Sequence, residues 1–397
     1  MNWQTRIQDV QKHLQKEKID GWLIYDFHRI NPFATDFLKL DPDLLVTRRF
    51  FYWIPAKGDP VKILHVIEPH VLPNIPGKTE IYLKWQELEA QLGKVLKGSK
   101  TVAMEYSPRN AIPYLSKVDA GIIDLVRSFQ VEVVSSASFL QYYTCVLDEQ
   151  QLQFHLEAAQ FLDKVVGDAW DRIADSLRKG IKINEHQVRM FIADEMTAHG
   201  FVTEGLPICA VNEHSADPHF EPLKEGSSVI KRGDFVLIDL WCKKNHPRAV
   251  YGDITRVAVA DATSTERQRE IFSIVRAAQK SAIDLVIERY ARGESLKGFE
   301  VDAACRKVIE EKGYGKYFTH RTGHNIYTKD HGPGAHIDSL ETQDLRELIP
   351  HTCFSIEPGI YIPGEFGIRL ECDVYLGDEG KAQVTGGIED DLLVLLS

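Results

Sequence analysis

No apolar run in this sequence approaches 18 residues, which excludes a membrane-spanning helix. A basic surplus is also missing: 47 Lys and Arg stand against 58 Asp and Glu, a formal net charge of −11. Nucleic acid and anionic membranes are bound through basic patches, so neither is an expected partner. Cysteine is sparse, with six in 397 residues and no CxxC pair. Such scattered cysteines read as reduced, buried thiols, and the cytoplasm is the expected compartment. The opening Met1-Asn2-Trp3-Gln4-Thr5-Arg6 lacks the apolar stretch of a signal peptide. Low-complexity tracts and short-period repeats are absent too.

What is present is ordinary in amount and uneven in placement. Hydrophobic residues make up 44% and charged residues 26%, enough for a sizeable core, and 397 residues imply two to three domains. Residues 1–150 carry 18 basic and 18 acidic residues, whereas 151–397 carry 29 and 40. Eleven of the 15 histidines also fall in the second part.

Ile7, Val10 and Leu14 share one helical face, so a helix is expected near residues 3–18. Strands are expected at Gly21–Tyr25, Phe50–Ile54, Val61–Val66, Thr101–Met104 and Val131–Val134, with a helix over Trp85–Leu96. Residues 1–150 therefore read as an α/β domain. A long helix follows from Glu149 to about Arg178, then one capped by Asn184. Strands are expected at Val229-Ile230, Phe235–Trp241 and Val250–Val259, the last two as an antiparallel hairpin around Cys242–Arg248. Helices over Ser264–Arg292 and Val301–Glu311 precede a strand-rich end, so 151–397 reads as an α+β domain.

Five residues in this second domain have the character of metal ligands. Asp239 ends the apolar stretch Gly233–Asp239, where an unpaired carboxylate would be costly. Asp253 faces it across the hairpin, and strand periodicity lets both acids point one way. His324 follows Gly323, while Glu357 and Glu371 lie in Ile356-Glu357-Pro358-Gly359 and Arg369-Leu370-Glu371. Each acid alone is most simply a capped or salt-bridged residue. Together, four carboxylates and one imidazole can neutralise and bridge two divalent ions. One nitrogen among oxygens suits manganese, cobalt, iron or zinc better than calcium.

The order Asp, Asp, His, Glu, Glu with these flanks resembles the pita-bread metallopeptidases, which include methionine aminopeptidase, Xaa-Pro aminopeptidase and Xaa-Pro dipeptidase (prolidase). The resemblance covers about 151–397. The preceding α/β domain is a feature of prolidases and Xaa-Pro aminopeptidases. It implies that Asp239 chelates one metal, that Asp253 and Glu371 bridge two, and that His324 and Glu357 complete the second. Manganese is the expected metal, with cobalt or zinc as alternatives. A water shared by two metals is acidified to hydroxide near neutral pH, and Glu357 is the expected proton shuttle. His331, seven residues after His324, and His219, in Asn212–His219, match positions that hold substrate and stabilise the tetrahedral intermediate. Arg369 would orient Glu371 or hold a substrate carboxylate.

The implied substrate is a small peptide with proline second, most simply a dipeptide. Longer peptides are the alternative. A homodimer is implied, with residues 1–150 as a lid and dimerisation module. Departures from the family pattern lie around the pocket: a long Trp241–Val250 loop, Tyr327 for a glycine, Gly332 for a glutamate, and Val211 near the place of another glycine. Creatinase-like hydrolases share the fold without metals, and inactive pita-bread domains serve binding. Five intact ligands argue against both.

Overall fold

The computed structural model describes residues 2–397, which form two compact units divided between Thr144 and Cys145. The division falls at 144/145, a few residues before the 150/151 boundary expected from sequence.

The first unit is built on a six-stranded mixed sheet. Its strands are β1 (Gly21–Asp26), β2 (Phe50–Pro55), β3 (Val61–His65), β4 (Lys78–Tyr82), β5 (Thr101–Met104) and β6 (Glu132–Ser135), in the order β4-β3-β2-β1-β5-β6. β1 and β2 are buried almost throughout because helices cover both faces. Helix α1 (Trp3–Lys16) buries Ile7, Val10 and Leu14 as its spacing predicts. Helices α2 (Pro32–Leu38), α3 (Trp85–Val95), α4 (Ala120–Ser128) and α5 (Ala137–Thr144) complete the unit. Of these, α2, α4, α5 and strand β4 were not anticipated. β4 is an edge strand whose residues are largely exposed, so it carries no apolar alternation.

In the second unit, α6 (Glu149–Lys179) starts at an Asp148–Gln151 capping box and stops at Gly180 in the left-handed region (φ 68°). Helix α7 (Glu185–Ala198) is capped by Asn184, and a cap of this kind is worth about 1 kcal/mol. The central sheet contains β7 (Phe201–Val202), β8 (Ile208–Val211), β9 (Phe235–Lys244) and β10 (Gly252–Val259). Val229-Ile230 contributes only an isolated bridge to Asn184. The hairpin β9–β10 is antiparallel as expected; its pairing closes at Cys242↔Gly252, and β9 runs on to Lys244, where it pairs with β7.

Helices α8 (Glu266–Ala291) and α9 (Gly298–Glu311) lie together in one apolar core with β9, β10 and the C-terminal strands, while α6 and α7 fill a second core with the alternate residues of β9 and β10. Next come β11 (Asn325–Ile326), β12 (Cys353–Ile356), β13 (Gly359–Tyr361), β14 (Gly367–Arg369), β15 (Cys372–Leu376), β16 (Ala382–Thr385) and β17 (Leu393–Val394). They form the sheet β11-β12-β15-β16 and the ribbon β13-β14, and β17 joins β10. The α+β expectation for this unit holds. No described helix is long and apolar enough to cross a membrane.

Candidate metal centre

Register brings the first two acids together. Thr255 pairs with Asp239 and Asp253 with Trp241, so Asp239, Asp253 and Thr255 lie on one face of the β9–β10 ribbon. Glu371 is placed just before β15, where its backbone N–H donates to the Thr255 carbonyl at 3.3 Å. Glu357 lies between β12 and β13, its N–H bonded to Thr322 at 2.7 Å. His324 precedes β11; its carbonyl accepts from the Ser355 N–H at 2.8 Å, and its own N–H donates to Ser355 Oγ at 3.0 Å. Gly323 is required there: a Cβ would fall 2.0 Å from the Ser355 carbonyl oxygen.

Asp239, Asp253, His324 and Glu371 are all buried, and Glu357 nearly so. The His324 Nε2 lies 3.6 Å from Asp253 Oδ2 and 3.5 Å from Glu357 Oε1. Its Nδ1 faces the Asn325 carbonyl at 3.4 Å. A carbonyl only accepts, so the proton sits on Nδ1 and the Nε2 lone pair points at the acids, as a metal ligand requires. Burial and the nearby His331 and Arg321 push the His324 pKa well down, which keeps that lone pair free.

The acids are short of donors. Thr255 Oγ1 stands 2.9 Å from Asp239 Oδ1 and 2.7 Å from Glu371 Oε2, yet it owns one hydrogen. Its lone pairs face Arg369 Nε at 2.9 Å. Asp253 Oδ1 is buried and accepts from nothing among the described residues. Burial and then Glu371 drive the Asp253 pKa well above the carboxylate range, and burial and Glu357 do the same to Glu371. Burial lifts Glu357 to about 7 against the pull of Arg369 and Arg321. Asp253, His324 and Glu371 can each offer a ligand atom within 4.8 Å of one another. Oxygen-rich, one-nitrogen and unsatisfied, this donor set fits divalent cations.

Arg369 is buried, with its guanidinium spent on Asp239, Thr255 and Tyr361. It reaches Glu371 only through Thr255. His331 stacks on His324 with ring centroids 4.1 Å apart, and its Nδ1 meets Arg321 Nη2 at 3.3 Å. A guanidinium only donates, so His331 carries its proton on Nε2. Partial desolvation of the half-exposed ring, and then Arg321, lower its pKa to about 4, which favours the neutral form. His219 is exposed, near enough for its charge to bear on His331. Sequence reasoning missed Thr255, Arg321, Asp330, Tyr361 and Asp373. Thr255 was open to inference from strand parity, two residues beyond Asp253.

The profile of metallopeptidase family M24 matches residues 157–378, more than half of the chain. YkvY of Bacillus subtilis, provisionally named a dipeptidase, is 30% identical over 72% of this chain and 75% of its own. An uncharacterized peptidase of Staphylococcus aureus is also 30% identical, over 60% of this chain, which spans 62% of that relative's length. The prolidase from Pyrococcus horikoshii superposes with a TM-score of 0.59 at 24% identity, covering 98% of this chain and 100% of that one. This likeness shows the fold, an α/β domain followed by a pita-bread domain. The chain belongs to metallopeptidase family M24, the family that the ligand order implied.

Proposed function

We propose that this protein hydrolyses the Xaa-Pro bond of dipeptides with the help of two divalent metal ions, manganese by preference. The observation that carries the reading is the buried, unpartnered Asp253 Oδ1 among Glu371, His324 and Asp239. Asp239, Asp253, His324, Glu357 and Glu371 would hold the ions. Bound there, the ions would supply Lewis-acid polarisation and a more acidic water.

The chain's own groups do the rest. Glu357 takes the proton of the attacking water and returns it to the proline nitrogen. That nitrogen lacks an N–H in the substrate and must be protonated to leave. His331, neutral and protonated on Nε2, donates to the oxygen of the tetrahedral intermediate, with His219 closing the other side. Arg369 holds Asp239 and the Thr255 hydroxyl in place. The dipeptidase names of the relatives favour a dipeptide. Homodimerisation, with the first unit as lid, belongs to the same proposal and predicts twice the 45.1 kDa chain mass in light scattering. So does a reducing compartment, consistent with six buried free cysteines.

The test is hydrolysis of Leu-Pro by chelated and manganese-restored protein. Loss on chelation with recovery on Mn²⁺ supports the reading. Unchanged activity after chelation, or none on any Xaa-Pro peptide when loaded, overturns it.

A further inference from the structure

Asp330 lies outside the five ligands, one residue before His331. Its Oδ1 is buried and accepts no hydrogen bond among the described residues. Its Oδ2 is 3.7 Å from His331 Nε2. Its carboxyl is in hydrogen-bond contact with that of Asp253, and the charges of Asp239, Glu357 and Glu204 also bear on it. None of those neighbours is a cation. A buried carboxylate pressed against other carboxylates is costly unless a proton or a metal cation sits between them. Asp253, only 5% exposed, independently presents an unpartnered Oδ1 in the same cluster. Asp330, His324 and His331 can also place ligand atoms within 4.8 Å of one another.

We propose that Asp330 is a further protein ligand of this metal centre, joining Asp253 and His324 on the ion that the imidazole holds. The proposal rests on the two-metal reading above. An added carboxylate makes the set richer in oxygen, which favours manganese over zinc. It also explains how an acid is tolerated on this loop: the charge that would otherwise repel Asp253 is shared with it by one cation.

The experiment titrates Mn²⁺ into chelator-stripped wild type, Asp330→Asn and Asp330→Val by calorimetry, and melts each protein with and without Mn²⁺. Asn keeps the shape without the charge, and Val removes the donors altogether. Both variants should weaken one binding event by about tenfold or more and leave the other within about threefold. Their metal-free melting temperatures should equal or exceed wild type, since a like-charge contact is gone, and the rise on adding Mn²⁺ should shrink. Two unchanged binding events in both variants would overturn the proposal. So would lower metal-free melting with both events weakened alike, which marks a structural residue. Failure of the functional reading looks different: wild type would bind two ions and leave Leu-Pro intact, while the Asp330 effect persisted.

Discussion

Each unit buries acids, and they treat them in opposite ways. In the first unit, Glu105 is fully buried and saturated: Trp22 Nε1 at 2.6 Å, Asn31 Nδ2 at 2.8 Å and Ser136 Oγ at 3.2 Å all donate to it. Asp26 takes backbone N–H groups from Arg29 and Asn31. In the second unit, Asp253, Asp330 and Asp373 each keep an oxygen that nothing described donates to. Depth of burial does not explain the contrast, because Asp302 of the second unit is equally buried and takes bonds from Arg306, Thr322 and Ser339. Saturated acids hold the fold together. Acids left short of donors converge on one place, and a cation is the partner that would complete them.

Substitutions can break this contrast. The largest effect is expected at Glu357→Gln, which keeps the shape and removes the base. The kcat on Leu-Pro should fall by about 10²–10⁴-fold with the fold intact by circular dichroism. Asp253→Asn should cost metal as well as activity, with affinity down by at least about 10–100-fold in a Mn²⁺ titration. Glu105→Leu should do the reverse. Leaving the Trp22 indole N–H without its acceptor, and Asn31 Nδ2 with only the Tyr25 carbonyl, costs about 1–3 kcal/mol in denaturant unfolding, while the bound-metal count stays as in wild type.

The smallest effect is a pH dependence. Burial lifts the Glu105 pKa to about 6 from 4.5, so the folded chain holds a proton there that the unfolded chain has lost. That group's contribution is therefore full below about pH 4.5 and declines as pH rises through about 6. Glu105→Gln should remove this decline, read as a wild-type-minus-variant difference in melting temperature between pH 4.5 and 7.

How much was legible beforehand follows the same divide. Strong periodicity announced α1, α6 and the β9–β10 hairpin. The short α2 carries a helical stripe, Phe33, Ala34, Phe37 and Leu38 behind the Asn31 cap, but over only seven residues, and the exposed edge strand β4 has no apolar alternation. In the site, the ligand order was visible because each ligand sits in a distinctive run, such as Arg321-Thr322-Gly323-His324. The Thr255 hydroxyl shared by two acids and the Arg321 bond that sets the His331 tautomer depend on tertiary contacts across 10 to 116 residues, and no local run marks them. Asp330 was hidden by its company, an ordinary acid beside Lys329 in a loop.

The most direct test of the account is the metal content of the intact protein. After incubation with excess Mn²⁺ and desalting, elemental analysis should find two equivalents per chain, falling in Asp253→Asn and unchanged in Glu105→Leu. A well-folded wild type that retains no divalent ion would contradict the account, because the unpartnered acids would then need another explanation.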